Sequence, residues 1–390
     1  MAYFLLGLLI LVAVAMIGCG LRQRNGLLLY PTLAGAAWLG YVVPQAIGLM
    51  ANPGRLPAGV LEDWGMELTL LMCVLCAGMS FLGYLKPAAA LLRPRRRVRT
   101  IAHYSDTRLF QAGLLLALVG GFGFYRLTRL SGGFLEYFSV EGHYALEWRG
   151  LPVMYVWFGG MAFPGLVLCL VATLHRPSRA RWAGVALAGL YPMITVVLLG
   201  RRGNFFHLAL IIALSLYFVR CKAPPRWLLL PALGVGFLIV QLAPAYRTHF
   251  RIGADVSQLG ELEPLESVRS VFEGKKGVTE MNYAVVQIAA AHRAGRFNYG
   301  VGLYNRIISR WVPRLIFGDA FKEALFLPTA PHRAAMLRYY GYRWSYGSFP
   351  TGYMDAFREL WFLGALLLSL IHISEPTRPL YISYAVFCLK

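Results

Sequence analysis

Apolar residues run almost unbroken near 3–20, 27–50, 67–85, 109–125, 152–174, 183–200, 205–219, 228–245 and 356–367, and the charged residues gather in the connections between them. Runs of about 17–25 apolar residues are long enough to cross a bilayer as helices. The pattern predicts an all-α polytopic integral membrane protein with about nine transmembrane helices and one large, partly helical extracytoplasmic loop. Helical periodicity also appears inside that loop. Residues 283–294 read as a helix, and Arg306, Arg310 and Arg314 recur every fourth position among Leu303, Ile307, Ile308, Trp311 and Leu315. With Pro313 interrupting the run, the second pattern predicts a short amphipathic helix lying at the membrane interface.

The connections alternate in charge. Basic residues fill 21–26 (Arg22, Arg24), 86–108 (Lys86, Arg93, Arg95, Arg96, Arg97, Arg99, Arg108), then Arg176, Arg179 and Arg181, then Arg220, Lys222 and Arg226. If each apolar segment crosses once, these four connections share a side, and the positive-inside rule makes that side the cytoplasm. The N-terminus is then periplasmic. The first segment has no basic residues before it and arginines after it, so it reads as a retained anchor rather than a cleaved signal. On the opposite side lie 51–66, 126–151, the Arg201-Arg202-Gly203-Asn204 turn, and the stretch 246–355. That stretch has 14 Lys or Arg, 9 Asp or Glu, three His and many aromatics. It is too rich in Tyr, Trp and Phe for a disordered linker and should fold. The expected organisation is an eight-helix region over 1–245, the loop over 246–355, and the start of a ninth helix over 356–367.

Composition agrees with this reading. Of 390 residues 58% are hydrophobic and only 14% charged, with a mean hydropathy of +0.55, against about a quarter charged in a soluble domain. The net charge of +20 comes from 38 Lys plus Arg against 18 Asp plus Glu. In a soluble protein it would suggest nucleic acid; here it lies in short runs between spans, and no nucleic-acid partner is expected.

Cys73 and Cys76 form a C-x-x-C inside the third apolar segment, without other Cys or His beside them, and read as small apolar helix residues rather than a redox or metal motif. Cys19, Cys169 and Cys221 are isolated. His143 and Glu147 stand four apart, but two ligands without a third make no zinc site. No phosphate-binding glycine loop ending in Gly-Lys-Ser/Thr occurs, which disfavours an ATP-driven pump. No metal or other cofactor is called for.

The end of the chain has a separate character. Leu368-Ser-Leu-Ile-His-Ile-Ser-Glu-Pro-Thr-Arg378 resembles the in-frame translation of a transposase-type sequencing adapter, and Ile382-Ser-Tyr-Ala-Val-Phe-Cys-Leu389 that of the primer that follows its barcode. Residues 368–390 are accordingly read as a technical sequence and left out of fold reasoning, with 1–367 natural and further transmembrane helices expected beyond it.

Three polar groups at the outer ends of helices carry candidate chemistry. Leu199-Gly-Arg-Arg-Gly-Asn-Phe205 holds Arg201 and Arg202 in a turn too short to leave the membrane face, suited either to interface anchoring or to bidentate contact with an anionic headgroup or pyrophosphate. Arg247, His249 and Arg251 leave the eighth segment at the same depth. In Ser348-Phe-Pro-Thr-Gly-Tyr-Met-Asp-Ala-Phe-Arg-Glu-Leu-Trp-Phe-Leu-Gly364, Thr351 or Gly352 opens a helix that sets Asp355 and Glu359 on one face beside Arg358. Carboxylates there also suit the helix dipole, but Glu359 lies at the edge of an apolar segment, where an ionisable group is expensive and usually functional.

Taken in order, the Gly-Arg-Arg-Gly turn, the loop segment Tyr299-Gly-Val-Gly-Leu-Tyr-Asn-Arg-Ile-Ile-Ser-Arg-Trp-Val-Pro-Arg314 and the Ser348–Gly364 segment make the chain resemble, over roughly 195–367, the Wzy-type O-antigen polymerases, also called oligosaccharide repeat unit polymerases. Earlier residues match in hydropathy alone. The turn carries two arginines, of which Arg202 is favoured as the equivalent one, and the chain stops before the family's last helices. The resemblance implies a glycosyltransferase of the bacterial inner membrane that uses no nucleotide sugar. It would join undecaprenyl-pyrophosphate-linked repeat units into O-antigen, capsule or exopolysaccharide at the outer face. Membrane lipids, a chain-length regulator and a flippase are its expected partners.

Such a reaction needs a cationic clamp for the departing pyrophosphate and a group to take the acceptor proton. Arg202, Arg247, Arg310 and Arg314 are the clamp candidates, with Arg201 and Arg343 behind them. Glu359 is the leading base and His332 its rival. Aromatics in Tyr339-Tyr-Gly-Tyr-Arg-Trp344 suit either stacking on sugars or an interfacial belt. An O-antigen ligase, moving the same glycan to a lipid or protein acceptor, is the alternative. A polysaccharide transporter or flippase comes third, since the predicted spans are nearly free of charge.

Overall fold

The computed structural model describes residues 1–23, 26, 29–85, 105–138, 151–199, 202–220, 280–312, 314–343 and 351–367, with isolated residues at 227, 231 and 234. Among them every regular element is helical. Six helices are long and apolar enough to cross a membrane: Ala2–Leu21, Tyr30–Ala51, Gly65–Tyr84, Asp106–Leu130, Pro152–His175 and Arg179–Val197. The seventh predicted segment forms a shorter apolar helix, Asn204–Tyr217. The eighth, 228–245, lies almost wholly outside the described residues, as do His143, Glu147 and 368–390.

The helices group into two compact units, one drawn from Met1–Arg97 and Val268–Tyr381, the other from Val98–Ser267 and Ile382–Lys390. The second unit holds α5 (Asp106–Leu130), α6 (Phe134–Phe138), α7 (Leu151–Gly160), α8 (Ala162–His175), α9 (Arg179–Leu199) and α10 (Arg202–Arg220), and α5 packs on α7 and α8 through small residues. Gly113, Gly120 and Gly123 of α5 lie so close to Cys169, Ala162 and Gly159 that a Cβ at any of them would crowd the facing backbone. Close approach through small residues is how helices associate where lipid removes the hydrophobic drive between them.

In the first unit, α1 (Ala2–Leu21), α2 (Tyr30–Ala37), a π-helical turn at Trp38–Val42, α3 (Val43–Ala51) and α4 (Gly65–Tyr84) supply the apolar spans. Against them pack α11 (Glu280–Ala294), α15 (His332–Tyr340) and α16 (Gly352–Leu360). Helix α11 realises the helix expected at 283–294, but its setting differs from a surface element of a loop: every residue from Met281 to Ala291 is buried. Most of its residues are small or apolar, and the helix is enclosed on every side even though it carries Asn282 and Gln287.

Two polar contacts tie α11 to the spans. The backbone N–H of Met281 donates to Gln45 Oε1 at 3.1 Å. Asp63, in the 51–64 connection, accepts from Arg293 at 3.0 Å and from the Tyr340 hydroxyl at 2.6 Å. The Asp63 bonds join the connection between α3 and α4 directly to α11 and α15.

The apolar segment 356–367 is not one helix. α16 ends at Leu360, Trp361 takes φ 54°, and helical turns resume only at 363–367. The carbonyls of Arg358 and Glu359, which a continuing helix would pair with N–H groups four residues on, accept instead from Asn298 N–H at 3.0 Å and Tyr299 N–H at 2.7 Å. Gly364 then comes so close to the Ala356 carbonyl that no Cβ would fit.

Candidate functional site

The expected amphipathic helix is present as α12 (Val301–Trp311), which stops at Val312, one residue before Pro313. The short helices α13 (Arg314–Phe317) and α14 (Asp319–Ala324) follow it. What precedes α12 matters more. Tyr299 and Gly300 both have positive φ, 51° and 88°, a conformation that glycine adopts freely and other residues rarely. The turn presses the start of α12 against the end of α16.

The docking is reciprocal. The turn's N–H groups take the last free carbonyls of α16, and the Glu359 side chain closes the first turn of α12 by accepting from Gly302 N–H at 3.0 Å through Oε2. Helix N-termini present unpaired N–H groups and favour negative charge. The capping role that sequence allowed for this carboxylate is therefore filled, but on a different helix from its own. A side chain at Gly302 would overlap Glu359 Oε1.

Asp355 and Glu359 share a face of α16, as their spacing requires, and are 5% and 1% exposed. Arg358 lies between them, with Nη2 3.0 Å from Asp355 Oδ1 and 3.5 Å from Glu359 Oε1. Its contact with Asp355 is close in distance but not aligned as a hydrogen bond, and its buried Nε has no partner among the described residues. Arg306 of α12 donates to the other Asp355 oxygen at 2.7 Å. Two carboxylates thus face two guanidinium groups, and pairing of this kind is what makes buried charge tolerable.

Asn298 extends the cluster. Its Nδ2 donates to Glu359 Oε1 at 2.9 Å, while its Oδ1 accepts from Ala330 N–H at 2.9 Å and faces His332 Nε2 at 3.3 Å. Burial, and then the positive charge of Arg358, push the His332 pKa down from 6.5 to about 4, so the ring is neutral at pH 7. Glu359 and His332, the two residues singled out as rival bases, are held by one amide.

The arginines fare differently. Arg201 and Arg247 lie outside the described residues; Arg202 opens α10 and Arg310 lies on α12, and the side chains of both are likewise outside them. Arg314 pairs with Asp319 at 3.0 Å and stands 4.0 Å from Glu323. Arg343 is exposed beyond the end of α15. Arg201 and Arg202 belong to the second unit, Glu359 and His332 to the first.

Sequence reasoning missed Asn298 and Gly302, and read Arg306 only as part of a periodic stripe. The available signal was the Gly300-Val-Gly302 pair at a helix start, a sign of close backbone approach. Among the described residues no group of three or more His, Cys, Asp or Glu is placed to hold a metal ion. Comparison with protein-family models, with curated proteins and with solved structures gives no match.

Proposed function

We propose that this membrane protein polymerises undecaprenyl-pyrophosphate-linked oligosaccharide repeat units at the outer face of the bacterial inner membrane. The observation that carries the reading is the network Arg306–Asp355–Arg358–Glu359–Asn298–His332, in which Asp355, Glu359, Asn298 and His332 are buried. It joins residues of the very segments, 299–314 and 348–364, on which the resemblance to oligosaccharide polymerases rests. A buried charge cluster with a neutral imidazole is a recurrent arrangement for proton transfer.

In the proposed reaction the acceptor sugar's hydroxyl oxygen bonds to the anomeric carbon of the growing chain. The bond from that carbon to the pyrophosphate oxygen breaks, and undecaprenyl pyrophosphate leaves with the electron pair. The hydroxyl proton passes to His332, which returns it to solvent. Both Glu359 oxygens already accept hydrogen bonds, so in this reading Glu359 holds the imidazole and the α12 terminus in place. Arg202, Arg247, Arg310, Arg314 and Arg343 remain candidates for the pyrophosphate, with Arg201 beside Arg202.

The test restores glycan ladders in a bacterium that lacks its own polymerase and is supplied with matching lipid-linked units, using the full-length gene and its Arg202→Ala, His332→Gln and Glu359→Gln variants. Ladders that His332→Gln abolishes at unchanged protein level support the reading. Single repeat units on the acceptor, with no ladder, would indicate ligation instead.

A further inference from the structure

Asn298 makes three side-chain contacts, and their chemistry leaves no freedom in how its amide is turned. The backbone N–H of Ala330 is an obligate donor, so the Asn298 atom that meets it at 2.9 Å is the carbonyl oxygen. The amide nitrogen then faces Glu359 Oε1 at 2.9 Å, where the carboxylate needs a donor. The alternative orientation would set two donors against each other on one side and two acceptors on the other.

That assignment propagates to the imidazole. His332 Nε2 lies 3.3 Å from the same Asn298 oxygen, which can only accept, so Nε2 carries the proton. A neutral imidazole has one protonated nitrogen and one lone pair. We propose that Asn298 is a positioning residue that fixes His332 in the Nε2–H tautomer and so keeps the lone pair on Nδ1. Among the described residues the ring makes its one side-chain hydrogen bond through Nε2, which leaves Nδ1 uncommitted.

The charged groups around the ring fit this role. Arg358 of α16 disfavours the imidazolium, and Glu359, which would favour it, is reached only through the Asn298 amide. The ring stays neutral with its acceptor nitrogen fixed. The catalytic use of Nδ1 as the atom that takes the acceptor proton rests on the polymerase reading; the tautomer does not.

The experiment labels the histidines of the full-length protein with 15N in lipid nanodiscs and assigns the His332 signals by loss in His332→Gln. The expected spectrum at pH 6–8 has Nδ1 at the unprotonated position and Nε2 at the protonated one. In Asn298→Ala the two nitrogens should move toward averaged positions. A protonated Nδ1 in the wild type overturns the proposal, as does a wild-type pattern that survives in folded Asn298→Ala. If Asn298→Ala does not fold, the wild-type spectrum decides alone, since a protonated Nδ1 there overturns the proposal. None of these signals depends on glycan transfer, so a protein with the expected tautomer and no polymerase activity would sink the functional reading alone. Where polymerisation is observed, Asn298→Ala should lower kcat at least about tenfold with KM nearly unchanged, the pattern of an interaction made in the transition state.

Discussion

Glu359 and Gly302 sit on different helices, 57 positions apart in the chain, and the carboxylate of the first closes the helix that the second opens, with 3.0 Å between Oε2 and the Gly302 nitrogen. Removing either side of that contact should loosen both helices. Glu359→Ala leaves Gly302 N–H, Asn298 Nδ2 and Arg358 without their shared acceptor, and is expected to cost about 3–5 kcal/mol, as loss of one member of a buried ion pair does. Gly302→Ala pushes a methyl group into the carboxylate and should cost about 1–3 kcal/mol. Thermal unfolding in a common detergent checks both, and near-wild-type midpoints in both variants would contradict the contact.

The two guanidinium groups around Asp355 should not be equivalent. The Arg306 side chain is 52% exposed and that of Arg358 21% exposed, so water compensates loss of the first far better than loss of the second. Arg306→Ala is expected to cost no more than about 1 kcal/mol, and Arg358→Ala several times that. Equal destabilisation would mean that Arg358 does not bridge Asp355 and Glu359.

His332 makes stability fall on the acid side. Burial and the neighbouring Arg358 push its pKa down to about 4 in the folded chain from an ordinary 6.5, so the unfolded chain binds a proton first as pH drops. Stability from this group is complete above about pH 6.5 and is lost progressively down to about pH 4, a total on the order of 3 kcal/mol. His332→Gln should flatten the dependence of the melting temperature on pH across that window. An unchanged slope would show that the ring is not held neutral.

A fourth test concerns the tie between the 51–64 connection and the buried helix α11. Asp63 accepts from Tyr340 at 2.6 Å and from Arg293 at 3.0 Å, and the Arg293 guanidinium lies 5.1 Å from the centre of the Tyr339 ring. Burial, and then the neighbouring carboxylate, push the Tyr340 phenol above its ordinary value. Tyr340→Phe should cost about 1.5–3 kcal/mol, the range for a hydrogen bond to a charged group, and the penalty should largely vanish in an Asp63→Ala background, which removes the acceptor. Additive losses in the double variant would mean that the two residues do not interact.

Much of this architecture was legible in the chain. The first six apolar runs marked helices long enough to cross a membrane, Pro313 marked where α12 stops, and four-residue spacing put Asp355 and Glu359 on one face. What sequence concealed is tertiary. Residues 283–294 read as a helix within the loop, but nothing local in them showed that α3, α4, α15 and α16 would enclose it. The break after Leu360 carries no proline; it follows from carbonyls captured by a turn some 60 residues earlier, at Asn298 and Tyr299. Asn298 had no local signal, because an amide between two elements is defined only once both are in place.

The most direct test of the central claim supplies the purified full-length protein in lipid vesicles with undecaprenyl-pyrophosphate-linked repeat units and follows glycan length and lipid release together. Glycans of increasing length are expected, with one undecaprenyl pyrophosphate released per linkage and loss of both in His332→Gln that remains folded. Lipid release without lengthening, or lengthening unaffected by His332→Gln, would contradict it.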